Sequence, residues 1–305
     1  MSEQQFGRDA GKPIERPDYS RNTPRFDDVD TSFGVLNTFA SGFGAFRRNF
    51  LGYLAIAAVC SIPGLLPVFA LGNGTNPFSG VSLVGLFGAI FLGVGVISFI
   101  PLLIGMIAAI TLTHDALLSP DRRADMNLLS RFKTGLVRFI PALLGFLFIL
   151  LGVGGIFLLV SATLFATGDG FAVFFGALAA LIAVLAFVST FSVLLPAIAV
   201  ERNGFGAVKR AWTLAGGYLL PLFGLLMLTF LFDSFVIGPL GSLIGVAINS
   251  MLPSSGATVA ITWFTQFMVL MFTIFFGIII QTAAFVRLKV IKEGLAEEDV
   301  AHVFR

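Results

Sequence analysis

Ionisable side chains are missing from long stretches of this chain. Residues 49–113, 139–168, 170–200, 211–232 and 234–286 contain no Asp, Glu, Lys, Arg or His. A helix that crosses the hydrocarbon core of a bilayer takes about 20 apolar residues, so the longest of these stretches holds more than one crossing. Turn-rich breaks divide them: LGNGTNPFSG at 71–80, ATGDG at 166–170 and SSG at 254–256. The pattern predicts six spans, at about 50–71, 81–113, 139–165, 171–199, 214–232 and 257–286. The second is longer than a bilayer requires and must tilt, kink at Pro101 or project beyond the membrane. The stretch that follows Asp233, FVIGPLGSLIGVAINSMLP, is apolar but broken by Gly and Pro, and reads as a surface or re-entrant segment rather than a seventh span. The sequence assigns no role to 233–256.

Each pair of spans is preceded by a segment whose large apolar residues recur at three and four, the period of one helix face. The first stripe is Leu36, Phe39, Phe43, Phe46 and Phe50, with Asp30, Thr31 and Ser32 as capping candidates. The second is Leu129, Phe132, Leu136 and Phe139, preceded by Asp121 and Asp125, and the third is Phe205, Val208, Trp212, Ala215 and Leu219. GFGAFRR at 42–48 matches GFGAVKR at 204–210 almost letter for letter, and Gly52-Tyr53 recurs as Gly217-Tyr218. Such self-similarity predicts three copies of one unit, an interfacial helix followed by a span and a return span. The expected fold class is therefore an all-α membrane protein of six transmembrane helices in three hairpin-like repeats, each led by a cytoplasmic amphipathic helix.

Composition sharpens this picture. Of 305 residues, 57% are apolar and only 12% charged, against about 25% charged in ordinary soluble domains. This excludes an ordinary soluble enzyme. The net charge of +2 carries no electrostatic footprint for nucleic acid. Residues 1–30 hold five basic and seven acidic side chains with almost no aliphatic ones, and are expected to form a disordered tail ahead of a membrane domain at 31–294 and a C-terminal segment at 295–305. The tail lacks the basic-then-apolar layout of a signal peptide.

Placement of charge matters more than its sum. Beyond the tail, basic residues fall at Arg47 and Arg48, at 122–138, at Arg202, Lys209 and Arg210, at Arg287, Lys289 and Lys292, and at Arg305. Six spans put all of them on one side and leave only Asp169 and Asp233 in the opposite loops. The positive-inside rule then puts both termini in the cytoplasm, and the expected location is a bacterial inner membrane.

Candidate chemistry is sparse. One cysteine, Cys60, and two distant histidines, His114 and His302, suggest neither a disulfide nor a metal site, and no cofactor is expected. Nor do carboxylates pair in a water-excluding pocket as acid and base catalysis needs, so no catalytic residue is assigned. The spans show no ionisable residue at their centres, where ion pathways normally carry one. What stands out is the repeated meeting of aromatic and basic residues at the cytoplasmic edge, where anionic headgroups favour each Lys or Arg by about 1 kcal/mol. The lipid-interface candidates are Arg47, Arg48, Lys133, Arg138, Lys209, Arg210 and Trp212. Structural ion-pair candidates are Glu201 with Arg210 or Arg287. The expected partners are anionic membrane lipids and no nucleic acid, with a protein partner or a second copy left open. The expected function is non-catalytic lipid binding or scaffolding, and the alternative is a transporter or flippase for a neutral or lipid-like substrate.

Two segments, ERNGFGAVKRAWTLAGGYLLPLFGLLML at 201–228 and AAFVRLKVIKEGLAEEDVAHVF at 283–304, resemble the membrane domain of glycerophosphoryl diester phosphodiesterases and related bacterial membrane proteins. The matching positions are Glu201, Arg210, Trp212 and Gly216, then Arg287, Leu288, Lys292, Glu293 and Gly294. Ala211 stands where that family often has Ser, and Ala284-Phe285-Val286 replaces a Tyr-rich lead-in. The resemblance covers the final third of the chain. It implies a multi-span membrane domain without the phosphodiesterase activity, which in fused members belongs to a separate soluble barrel.

Overall fold

Four prolines set the joints of the structure, a computed structural model that describes residues 33–65, 83–118, 127–167, 170–201, 206–251 and 256–293. Proline cannot donate to the carbonyl four residues before it, but it is tolerated in the first turn of a helix. Pro141, Pro196 and Pro221 each stand third in a helix, and each helix follows a break in the chain. The breaks are at Arg138, at Ser192 and Val193, and at 216–218. The fourth, Pro239, follows a widened turn.

The described residues are all helical apart from short turns. In order they form α1 (Val35–Arg48), α2 (Phe50–Ser61) with a 3₁₀ turn at Ile62–Leu65, α3 (Leu83–Leu118), α4 (Leu128–Val137), α5 (Phe139–Thr167), α6 (Gly170–Phe191), α7 (Leu194–Glu201) and α8 (Gly206–Ala215). Then come α9 (Leu219–Phe232), a π turn (Asp233–Ile237), α10 (Gly238–Met251) and α11 (Gly256–Glu293). The α3 helix runs on through Pro101. Three short helices, α1, α4 and α8, each lead through a hinge of one to three residues into an apolar helix.

Five segments are long and apolar enough to cross a membrane: Ser98–Leu118, Phe139–Ala162, Phe174–Glu201, Leu219–Ile248 and Phe264–Glu293. The first expected span appears as the shorter apolar helix Phe50–Ser61, and the rest of that prediction lies outside the described residues. The fifth corrects the sequence reading. The chain after Asp233, expected as a surface or re-entrant segment, is by length and composition part of a candidate span, because α9, the π turn and α10 continue as one 30-residue apolar stretch through Ile248. Gly238 and Pro239 widen the helix there without ending it, and the Gly238 amide donates to the Asp233 carbonyl five residues back.

The short helices bury small residues beside part of each stripe. Buried on α1 are Thr38, Gly42 and Ala45, on α4 Arg131 and Gly135, and on α8 Ala207, Ala211, Leu214 and Ala215. Leu36 is 72% exposed, Leu129 82% and Trp212 64%. Each stripe is thus split, with Phe39, Phe46, Phe132, Phe139 and Val208 packed against the core and Leu36, Leu129, Leu136 and Trp212 turned outward. Small residues let backbones approach, and several of the large apolar ones point outward, as in helices whose solvent is lipid. A side-chain carbon on Gly135 would sit 2.7 Å from the Ile104 carbonyl oxygen, so only glycine lets α4 lie across α3. A side-chain carbon on Gly42 would meet the end of the Ile280 side chain of α11 at 2.8 Å. Capping differs too: α4 is capped by Asn127, whose side chain accepts from the Ser130 amide at 3.2 Å, and α1 starts at Gly34 with no side-chain cap. The expected caps Asp30, Thr31, Ser32, Asp121 and Asp125 lie outside the described residues.

At the core, α2, α3 and α11 meet around Ile56, Gly105 and Phe275. Tyr53 on α2 and Thr113 on α3 are fully buried and joined at 2.8 Å. Thr113 spends its proton on the Ala109 carbonyl at 2.7 Å, so Tyr53 is the donor. A second cluster stacks Phe232 against Phe276 at 4.9 Å, with Phe39 and Phe43 of α1 edge-on to both.

Candidate functional site

Charged side chains gather where α7, α8 and α11 meet. Glu201 ends α7, and Arg210 projects toward it from α8, which is held down by its alanine face. The Arg210 Nε and Nη2 donate to the two oxygens of Glu201 at 2.8 and 2.9 Å, the fork geometry that makes such pairs the strong ones. Lys289 of α11 reaches the same carboxylate at 3.2 Å, and the remaining Arg210 nitrogen pairs with Glu293. The Glu201 side chain is 10% exposed and that of Arg210 26%. Hydrogen bonds to Glu201, and after it to Glu293, raise the pKa of Arg210 above its ordinary value.

Lys292 completes the junction. Its ammonium donates to the carbonyls of Thr213 and Gly216 at 2.5 and 2.6 Å, acceptors that the end of α8 leaves without helical partners. It also lies 5.6 Å from the centre of the Tyr218 ring. Gly217, at φ +85°, lets the chain turn from α8 into α9, a conformation that side chains disfavour. Both oxygens of Glu201 are held by cations. That makes it a brace rather than a free base. Arg287, the other expected partner, is buried on α11, and the second cation on Glu201 is Lys289.

A second charged junction joins α3 to α4. Asp115 accepts from Arg131 at 3.0 Å with His114 at 3.7 Å, and Arg48 donates to the Ala116 carbonyl at 3.1 Å. Beside α4 lies a cavity of about 450 Å³ lined by Ser130, Lys133, Thr134, Val137, Arg138, Pro141 and Ile198. The α4 helix supplies the two hydroxyls and Lys133 from successive turns, and the hinge before Pro141 supplies Arg138. The lining thus combines two basic side chains with three apolar ones.

The seven lipid-interface candidates therefore do not share one site. Lys133 and Arg138 line the cavity, while Arg210 is engaged by Glu201 and Glu293. Arg47 lies exposed on α1 and Lys209 exposed on α8, and Trp212 projects outward with its ring 6.2 Å from that of Phe191. Sequence reasoning missed Asp233. It was expected in a loop, but it lies within the apolar stretch Leu219–Ile248, and its Oδ1 is buried without a hydrogen-bond partner. The available signal was Pro239, which fits a widened turn as well as a loop. Among the described residues no group of His, Cys, Asp and Glu is arranged to hold a metal ion. No protein family matches the chain, and neither does any curated protein or solved structure.

Proposed function

We propose that the protein is a non-catalytic, multi-pass membrane protein that binds anionic phospholipid at its basic end. The cavity beside α4 carries the reading. Lys133 and Arg138 offer charge for a phosphate, Ser130 offers a hydroxyl donor, and Val137, Pro141 and Ile198 continue into apolar surface where acyl chains would lie, while the Thr134 hydroxyl spends its proton on the Ser130 carbonyl at 3.0 Å. Outward Leu129, Leu136 and Ile140 extend that surface.

In this reading the chain crosses a bacterial inner membrane six times, as three copies of a helix, hinge and helix unit, with both termini in the cytoplasm. The likeness of 201–228 and 283–304 to the phosphodiesterase membrane domain belongs to the same proposal. Its support is spatial: Glu201 and Arg210 of the first segment meet Lys289 and Glu293 of the second in one junction.

The test is lipid retention. Protein purified in mild detergent should carry phosphatidylglycerol in preference to phosphatidylcholine, read by mass spectrometry of the extracted lipid. Lys133→Gln with Arg138→Gln should lower retention severalfold, while Arg47→Gln with Lys209→Gln should leave most of it. Equal retention by the first pair would remove the basis of the proposal.

A transporter is the second reading, favoured by a different observation. One apolar segment is interrupted at Ser192 and Val193 and another is widened at the π turn, and interrupted helices commonly form substrate sites in transporters. Uptake or lipid flipping in proteoliposomes separates the two.

A further inference from the structure

Asp233 follows the 14 residues of α9, about 21 Å along the helix from Leu219 and near the middle of the 30-residue apolar stretch. At 100° per residue it points within about 20° of Leu222, so it shares the packed face that Leu222 and Leu225 define. The burial of Oδ1 fits that direction. Two facts make the position unusual. A carboxylate with a buried oxygen and no hydrogen bond is costly in an apolar surrounding. It also sits at the first residue of a π turn, a widening often found at functional sites.

Nothing described supplies the missing countercharge. The elements packed on α9 and the π turn are α1, α6, α10 and α11. Of these, α6 and α10 carry no ionisable residue. The charges on α1 are Arg47 and Arg48, and those on α11 are Arg287, Lys289, Lys292 and Glu293. Lys289 and Glu293 are committed to the Glu201 junction, Lys292 to the end of α8 and Arg48 to Ala116. No ion pair within 4.0 Å forms with Asp233 among the described residues.

We propose that the Asp233 carboxylate and the π turn around it form a binding site for a monovalent cation, either a proton or an alkali ion, inside the apolar span. The shared chemistry is one positive charge that neutralises the carboxylate where no side chain does. The site does not depend on the lipid cavity, which lies against α4, α5 and α7.

Thermal unfolding of the full chain in detergent tests this, because a ligand that binds only the folded state raises its midpoint with concentration. The parent and Asp233→Asn are compared in two arms at constant ionic strength. One is a pH series in choline chloride and the other is sodium replacing choline at fixed pH. The site predicts that the parent midpoint rises by several degrees with one of these cations, and that Asp233→Asn loses that response. A pH response assigns the proton and a sodium response the alkali ion. Identical responses in the two proteins would overturn the site. If Asp233→Asn does not fold, dicyclohexylcarbodiimide modification of Asp233 in the parent, read by peptide mass, decides instead. Protection by sodium or by alkaline pH supports the site, and modification indifferent to both, or absent under all conditions, overturns it.

Discussion

Glu201 and Arg210, nine residues apart, bring a carboxylate ending one helix to the guanidinium on the next. Neutralising the acid leaves a three-quarters-buried guanidinium short of its partner. We expect Glu201→Gln to cost about 1–3 kcal/mol after allowing for the solvent that still reaches Arg210, and to lower the unfolding midpoint in detergent. An unchanged midpoint together with loss of lipid retention would make Glu201 a ligand residue instead. Arg210→Lys tests the fork separately. Because the folded-state pKa of Arg210 is raised, its contribution is complete below the ordinary arginine value and is lost only above the raised one, beyond any usable pH. The parent midpoint should therefore owe no alkaline loss to this group. In Arg210→Lys the cation has an ordinary value of about 10.4, so an additional fall should set in as the pH rises above about 10.4. This pair was legible in the sequence because each residue borders an apolar run, Glu201 at the end of 170–200 and Arg210 at the start of 211–232. Lys289 and Glu293 were not assigned to it, since nothing in one sequence says which turn of an adjacent helix lies at that height.

At the scale of elements, the periodic stripes marked α1, α4 and α8, and the structure divides each stripe between a packed and an outward side. The stripe rule assumes that water covers the polar side, whereas here the outward surface includes Leu36, Leu129, Leu136 and Trp212. Under that condition the small residues become informative. Gly42, Gly135, Ala207 and Ala211 occupy the packed faces, while Ala179 and Ala183, a small pair that reads as a contact, are exposed. Gly135→Ala should therefore be more damaging than its size suggests, because the methyl would meet the backbone oxygen of Ile104 rather than a side chain that can turn away. We expect a loss of about 1–3 kcal/mol and a weakened Arg131 to Asp115 contact. Gly154→Ala, where the same methyl has open space, is the control and should leave the midpoint within about 1 °C. Prolines were the better guide to element ends. Pro141, Pro196 and Pro221 each mark the first turn after a break, and Pro239 misled only because Gly238 lets the helix widen in place of stopping.

For the whole molecule, the number of crossings turns on α2. Five segments pass the length test, and an odd count would put the two termini on opposite sides. Side-chain contacts argue for a sixth crossing. Arg48, just before α2, reaches the carbonyl of Ala116 near the charged end of α3, whereas α3 itself begins at Leu83, about 50 Å away along its axis. Between those points α2 descends beside α3, with Tyr53 level with Thr113 and Cys60 level with Pro101. A chain that starts at one end of α3 and must enter it at the other has to travel its length. The expected outcome is that reporters fused after residues 125, 204 and 305 read as cytoplasmic and those after 75 and 168 as extracytoplasmic. The last outer reporter belongs near residue 254, because Gly245 is packed against Gln266 within the α10 helix and a fusion there would break the span. Opposite readings at the two termini would reduce the crossings to five and place Arg47 and Arg48 across the membrane from Lys289 and Lys292. That arrangement conflicts with both the charge pattern and the contact of Arg48 with Ala116.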